Sequence, residues 1–404
     1  RLQSTTLASN MMSSRHQLII SSQRRFEPMS AAMLRFASYH STTISTSDHQ
    51  KKNPSMSTKD YRYCVELVKN RDRESYLCGL LMPYNARRSF FGIRAWNAEL
   101  ASIKGGSVLN RNKGEQANAA LQVRIQWWRE GLNKIYDSQQ QSENNHESHS
   151  TTNNNYKIDD EMFSISETLD ASYFKNPAVR VLDYAVREKQ LTQRFLERLS
   201  EARETDLHDE QPETITDMVE YADNIVSSLL YLTLETVNVR DEAVDVVAQH
   251  AGIGIGLATA LRGVRFRLAR GECSIPKEFF PEEFPYHKLM HTNNNIGLNE
   301  DKESSENNVS IDEENILNEV ERDQLKDAVK RVCTLAYSHL SKAQELQSTV
   351  PKHARMCFLP IIPALHYLSK LENAKYDIFD ERLLEHDNLK ILALLGRTWL
   401  TGVF

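Results

Sequence analysis

The sequence predicts an all-α protein built as one helical bundle. Three observations carry that prediction. Glycine (14) and proline (11) are each about half as common among the 404 residues as in an average protein. The many tight turns of an all-β fold therefore lack their usual residues. Apolar side chains recur at helical spacing along several stretches, and no run alternates apolar and polar residues over a strand's length.

The elements follow in chain order. Residues 1–47 hold five arginines, no lysine, a single acid (Glu27), eleven serines and five threonines. An Arg-rich, Ser-rich, acid-poor leader is the composition of a mitochondrial transit peptide. Leu121, Ile125, Trp128, Leu132, Ile135 and Tyr136 fall on one face of a long helix. Val179, Val181, Leu182, Tyr184 and Ala185 open a helical stretch that continues through Leu191, Phe195, Leu196 and Leu199. Met218, Tyr221, Ile225, Leu229, Leu232 and Leu234 mark a third helix. Asp241 is a good N-cap for a fourth that runs toward Leu261. Leu325, Val329, Val332 and Ala336 mark another, and the span Phe358 to Leu371 is a last one, with Pro360 and Pro363 kinking or breaking its start. Residues 138–156 and 292–316 are Asn- and Ser-rich, the second also acidic, and are expected to be disordered surface insertions. The helices on both sides of each insertion are needed to close a bundle. The reading is therefore one domain over 57–385, followed by an amphipathic C-terminal segment, 386–404.

Charge and cysteine content exclude several classes. A formal net charge of −6 argues against a sequence-independent nucleic-acid binder. The five cysteines form no CxxC pair, so neither a disulfide framework nor a zinc knuckle is expected, and a reducing, matrix-like compartment fits. His146 and His149 sit in a polar tract and are expected to be solvated bystanders; no metal site and no cofactor is predicted. No stretch of 18 uncharged apolar residues predicts a spanning helix. The run Gly252-Ile253-Gly254-Ile255-Gly256-Leu257 fails the dinucleotide fingerprint and follows no strand. It is expected to let two helix backbones approach closely.

A set of motifs in order carries a more specific signal. Tyr76-Leu77, Leu80-Leu81-Met82, Pro83 and Arg87-Arg88 come first, then Arg124-Ile125-Gln126-Trp127-Trp128-Arg129. Tyr221-Ala222 with Ser227-Ser228 follows, then Arg262, Gly271 and Pro276. Last come Tyr367-Leu368, Leu371, Tyr376-Asp377-Ile378-Phe379 and Arg382. Together they resemble the squalene/phytoene synthase family over about 57–385, the two insertions excepted. The resemblance implies an isoprenoid-synthase-like helical bundle. In that family it also implies head-to-head joining of two isoprenoid diphosphates, with Mg²⁺ held by carboxylates at i and i+4 on facing helices. Here the first such pair falls on Ala98 and Ser102, with Glu99 between, and the second on Gly263 and Arg267, with Arg265 between. These residues cannot hold a metal cluster. The resemblance thus implies the fold and argues against the activity, leaving no catalytic residues and a vestigial cleft marked by Tyr76, Arg94, Glu99, Arg262 and Arg267.

The pattern narrows within the family. Tyr63 to Asp72 reads YCVELVKNRD, Arg94 to Ala101 RAWNAELA, and Ser227 to Glu235 SSLLYLTLE, followed later by Thr349-Val350-Pro351. These are similar to a non-catalytic mitochondrial branch that assists assembly of respiratory complex I. The branch implies a place at the matrix side of the inner membrane, peripheral to it, in early assembly, with complex I subunits or assembly intermediates as partners and an apolar ligand as an open possibility. Two other classes stay open. One is a divergent prenyl-diphosphate synthase using Glu99, Asp206 or Asp223. The other is an isoprenoid- or lipid-binding protein.

Overall fold

The structure, a computed structural model, describes residues 56–105, 114–148, 173–207, 211–298, 316–385 and 387–404. The leader read at 1–47 and most of the two insertions lie outside these residues. Among the described residues there are helices and no strand, as glycine and proline content and periodicity predict.

Helix α1 (Thr58–Arg71) starts where the Ser57 hydroxyl accepts from the Lys59 amide, and it stops at Asp72. Asp72 accepts from Ser75 N at 3.0 Å and so caps α2 (Arg73–Leu80). A two-point ion pair fixes α1 across the bundle: Arg180 donates to both Asp60 oxygens at 2.6 and 2.8 Å. That contact holds the Asp60 carboxyl below its usual range, against the opposing effect of burial.

Helix α3 (Tyr84–Gly105) is the spine. Most of its residues from Ser89 to Leu100 are buried, so that it packs on two sides. Phe90, Phe91 and Ala95 belong to the larger core, while Ile93, Trp96, Leu100 and Ile103 belong to a second. The long helix α4 (Gly114–Ser148) buries the expected stripe Leu121, Ile125, Trp128, Leu132 and Ile135 against it, with the Trp96 and Trp128 rings edge to face at 5.1 Å. Tyr136 is only half-buried; its hydroxyl donates to the Leu191 carbonyl at 2.7 Å. Helices α5 (Pro177–Lys189) and α6 (Gln193–Thr205) complete this second core.

The third expected helix is continuous but not uniform. Helix α7 (Ile215–Ala222) widens into a π turn at Asp223–Ser227 before α8 (Ser228–Thr236). Helix α9 (Glu242–Arg262) begins at Asp241, whose Oδ1 accepts from Ala243 N and Val244 N at 2.8 and 3.2 Å. By length and composition α9 could cross a membrane, but twelve of its residues are buried inside the protein, which makes it a core helix here. The short α10 (Val264–Leu268), α11 (Tyr286–Leu298), α12 (Glu319–Glu345) and α13 (Ile361–Asn373) follow. Pro360 caps α13 and Pro363 sits in its first turn, where a missing N–H costs nothing. Helix α14 (Asn388–Thr401) closes the chain.

The insertion boundaries differ from the expectation. Helix α4 runs through Ser148, past residue 138. Helix α11 runs through Leu298, past residue 292. Two residues of the second polar tract are pins rather than loop: Thr292 Oγ1 accepts from Leu317 N at 3.1 Å, and Asn293 Nδ2 donates to the Arg265 carbonyl at 3.1 Å, both side chains buried. The C-terminal segment belongs to the same compact unit, since Ile391 and Leu395 of α14 pack on Leu77, Cys78 and Leu359.

Candidate functional site

The glycine run is a packing seam. A Cβ on Gly252 would meet Ser227 Cα and N at 2.5 Å, one on Gly254 the Leu340 side chain at 2.6 Å, and one on Gly256 the Ala222 Cβ at 2.5 Å. The π turn presses its backbone onto α9 at Gly252, and α12 presses on Gly254. The seam binds no phosphate; it is where backbones meet.

At the C-terminal end of α9 the surroundings change to charge. Around α3, with 100° per residue, Phe90, Arg94, Asn97, Ala101 and Lys104 form one stripe. Asn97 Oδ1 accepts from Arg203 Nη2 at 3.4 Å, and Arg203 donates to the Tyr221 hydroxyl at 2.5 Å. Lys104 reaches Asp206 at 3.5 Å and Glu272 at 3.6 Å. Arg267 of α10 reaches the same two carboxylates at 3.3 and 3.9 Å. Two cations and two carboxylates thus form a charge-balanced network just past this end of α9, the charged mouth of the bundle. Arg270 extends it by donating to the Lys104 carbonyl at 2.7 Å, which satisfies the end of α3.

The expected motif positions on α3, Ala98 and Ser102, do not face this network. The stripe that reaches Arg203 and Asp206 holds Asn97, Ala101 and Lys104. One step along the chain is 100° around the helix, which turns Ala98 and Ser102 off that stripe. Ser102 Oγ instead donates to its own helix, at the Glu99 carbonyl.

The five residues expected to mark a cleft separate into three places. Glu99 faces α1, accepting from the Tyr63 hydroxyl at 2.6 Å. Desolvation and that carboxylate push the Tyr63 phenol up to about 12. Arg262 pairs with Glu74 of α2. Tyr76, also on α2, packs against Phe91 at 6.2 Å and lies under the Arg73 guanidinium at 5.5 Å. Arg94 is 6% exposed, stacks over Phe90 at 5.4 Å and has a buried Nε with no hydrogen-bond partner. Burial lowers its pKa, and the Asp72 carboxylate opposes that. Arg267 belongs to the network at the mouth. Arg94, Arg262 and Tyr76 are thus grouped near α2, with Glu99 and Arg267 elsewhere.

Sequence reasoning missed Asn97, Lys104, Arg203 and Glu272. Their partners lie on other helices, so no local spacing marks them. Among the described residues no three His, Cys, Asp or Glu side chains converge as a metal cage would need. Asp206 is held by two cations, and Asp223 by Arg198 at 2.8 Å. A shallow open depression elsewhere is lined by Glu278, Phe279, Phe280, Val320, Asp323 and Asp327 and by none of the five expected residues.

Comparison with known proteins agrees with this architecture. Curated relatives named "NADH dehydrogenase (ubiquinone) complex I, assembly factor 6" include those of Bos taurus, 28% identical over 84% of this chain and 81% of theirs, and Homo sapiens, 27% identical over 83% and 81%. A homolog of that name in Drosophila melanogaster is 26% identical over 84% and 83%. Among solved structures, the squalene synthase HpnC from Alicyclobacillus acidocaldarius superposes with a TM-score of 0.51 at 15% identity, over 79% of this chain and 95% of that one. A dehydrosqualene synthase does so with 0.53 at 14%, over 85% and 97%. The squalene/phytoene synthase profile matches residues 68–296 and 306–390, most of the chain, and on that match the chain belongs to the squalene/phytoene synthase family.

Proposed function

We propose that this chain assists the assembly of respiratory complex I and does so without prenyl-transfer chemistry, at the matrix side of the mitochondrial inner membrane. The observation that carries the reading is the agreement of curated relatives. Proteins from mammals and fly that match more than four-fifths of both chains share the name of a complex I assembly factor. The Arg-rich, acid-poor leader supports mitochondrial import.

The mouth supports the non-catalytic half. A departing diphosphate needs Mg²⁺, and Mg²⁺ needs free carboxylate oxygens. The stripe of α3 offers Asn97 and Ala101, and α9–α10 offers Gly263 and Arg267. The nearby carboxylates Asp206 and Glu272 already neutralise Lys104 and Arg267. A dication there would have to displace two cations. Glu99 and Asp223, the other carboxylates a divergent enzyme could use, are held by Tyr63 and Arg198. The close approach of backbones along Gly252–Gly256 argues against an apolar chain lying along this side of α9.

The test is disruption of the gene followed by assay of each respiratory complex. Loss of complex I with the other complexes intact, restored by the full-length chain, is the expected result. Intact complex I would sink the reading. Pyrophosphate release by the purified protein from farnesyl diphosphate with Mg²⁺, above the no-protein rate, would overturn the non-catalytic half alone.

A further inference from the structure

Large apolar side chains left in water are unevenly spread on this surface. Leu384, Leu389, Trp399, Leu400 and Val403, five of those exposed among the described residues, all lie between 384 and 404. Single exposed leucines need no explanation, but Leu389, Trp399 and Leu400 share a held helix. Ile391 and Leu395 fix one face of α14 to Leu77, Cys78 and Leu359. Its far end is pinned by the Phe404 ring stacked on Phe358 at 4.8 Å and by the Gly402 carbonyl accepting from Arg355 at 3.2 Å. At 100° per residue the opposite face carries Leu389, Ala393 and Leu400. Leu389 is 85% exposed and Leu400 65%. Trp399 lies on one flank of this stripe, Lys390 and Arg397 on the other.

The charges are one-sided. Between 388 and 404 there are two cations and no acid, in a chain of net charge −6. Asp387, just before the helix, is already bound to His366 at 2.8 Å and Lys370 at 3.3 Å. Glu381 and Glu385 lie outside the helix. Leu81 packs into the same small cluster as Ile391. Close to it in sequence, Leu80 and Tyr84 are exposed, with the Arg88 guanidinium 5.6 Å over the Tyr84 ring.

We infer that α14 docks this protein on an anionic lipid bilayer: Leu389, Ala393 and Leu400 enter the interface, Trp399 sits at the headgroup level, and Lys390 and Arg397 meet the lipid phosphates. An apolar stripe with a cationic flank and a tryptophan at its edge is the composition of an interfacial helix, and each cation near an anionic surface adds attraction. A single helix proud of the surface offers an area to a plane, not a groove to a peptide. The inference names the bilayer contact of a protein read above as acting at a membrane. It rests on that part of the reading, and binding by the pure protein is a readout separate from complex I assembly in cells.

The test uses the purified full-length chain and vesicle flotation. One vesicle set is phosphatidylcholine; the other is an equal mixture of phosphatidylcholine and phosphatidylglycerol. The expected result is flotation with the mixed vesicles and much less with the neutral ones. The double variant Leu389→Asp/Leu400→Asp, both sites exposed, should lose about tenfold or more of the partitioning with unchanged helicity by circular dichroism. Lys390→Glu/Arg397→Glu should lose the preference for anionic vesicles. Brominated lipid should quench part of the wild-type tryptophan emission, and Trp399→Phe, a conservative change at an exposed site, should remove the quenched part. Absence of wild-type flotation overturns the inference. So does flotation that the Leu389/Leu400 variant leaves unchanged, or a concentration-dependent dimer that the same variant dissociates while lipid binding is nil. Complex I lost on disruption in any of these cases leaves the assembly reading standing.

Discussion

The seam lies within α9 and the mouth just past its end, and the two obey different physics. At the seam, Gly252, Gly254 and Gly256 touch Ser227, Leu340 and Ala222 with no room for a methyl group. At the mouth, a few residues past the end of α9, Arg267 shares Asp206 and Glu272 with Lys104, all partly in water. Contact at the seam depends on volume and tolerates nothing added. Contact at the mouth depends on charge balance, which several residue sets can satisfy.

The largest effect expected is at the seam. Gly252→Ala places a methyl group on the Ser227 backbone, which cannot move as a side-chain tip can. A loss of about 3 kcal/mol, or failure to fold, is the expected outcome in chemical denaturation. A change below about 0.5 kcal/mol would mean that the seam is looser than described. Next comes a buried acid at the end of α8. Glu235 is 3% exposed and accepts from Thr192 N at 2.9 Å, with Arg240 at 3.3 Å. Glu235→Ala leaves the start of α6 unsatisfied and should cost about 2 kcal/mol, read as a shift of the denaturation midpoint at unchanged slope.

The mouth should respond less. Arg267→Ala removes one cation from a network still holding Lys104, at an expected cost of about 0.5–1 kcal/mol that shrinks with added salt. Arg267→Asp should cost more than Arg267→Ala, because it adds a third carboxylate beside Asp206 and Glu272. A variant as stable as wild type would break the account of a charge-balanced mouth.

Acid separates the two regions once more. His250 and His339 join α9 to α12 with Nδ1 atoms 3.1 Å apart, and burial lowers the pKa of both below the ordinary histidine value. A depressed histidine binds fewer protons folded than unfolded. The stability it permits is therefore complete above pH of about 6.5 and declines as pH falls below that value. Thermal unfolding between pH 7.5 and 5.5 should show this decline, and His339→Gln should flatten it. An equal slope in both proteins would assign the decline to other groups.

Much of this was legible in the sequence, for reasons that differ by residue. The α4 stripe, the Asp241 cap and the close-packed glycines are local patterns, and local patterns survive without knowledge of neighbours. The way α3 turns its residues was less legible: one residue is 100° of helix, and only the folded partners show that Asn97 and Lys104, not Ala98 and Ser102, face Arg203 and Asp206. The mouth itself was illegible because Lys104 and Asp206 meet only after folding. Thr292 and Asn293 look like linker by composition, and become structural because Arg265 and Leu317 present backbone groups to them.

Helix α10 has five residues, and only Val264 and Leu268 of them are buried in the core. Arg267 reaches Asp206, and the Arg265 carbonyl takes a bond from Asn293. Such a segment opens without the rest of the bundle opening. In deuterium exchange, the amides of Val264–Leu268 should label early and those of Ala251–Leu257 last, so that the mouth and the seam are separated by time as well as by chemistry.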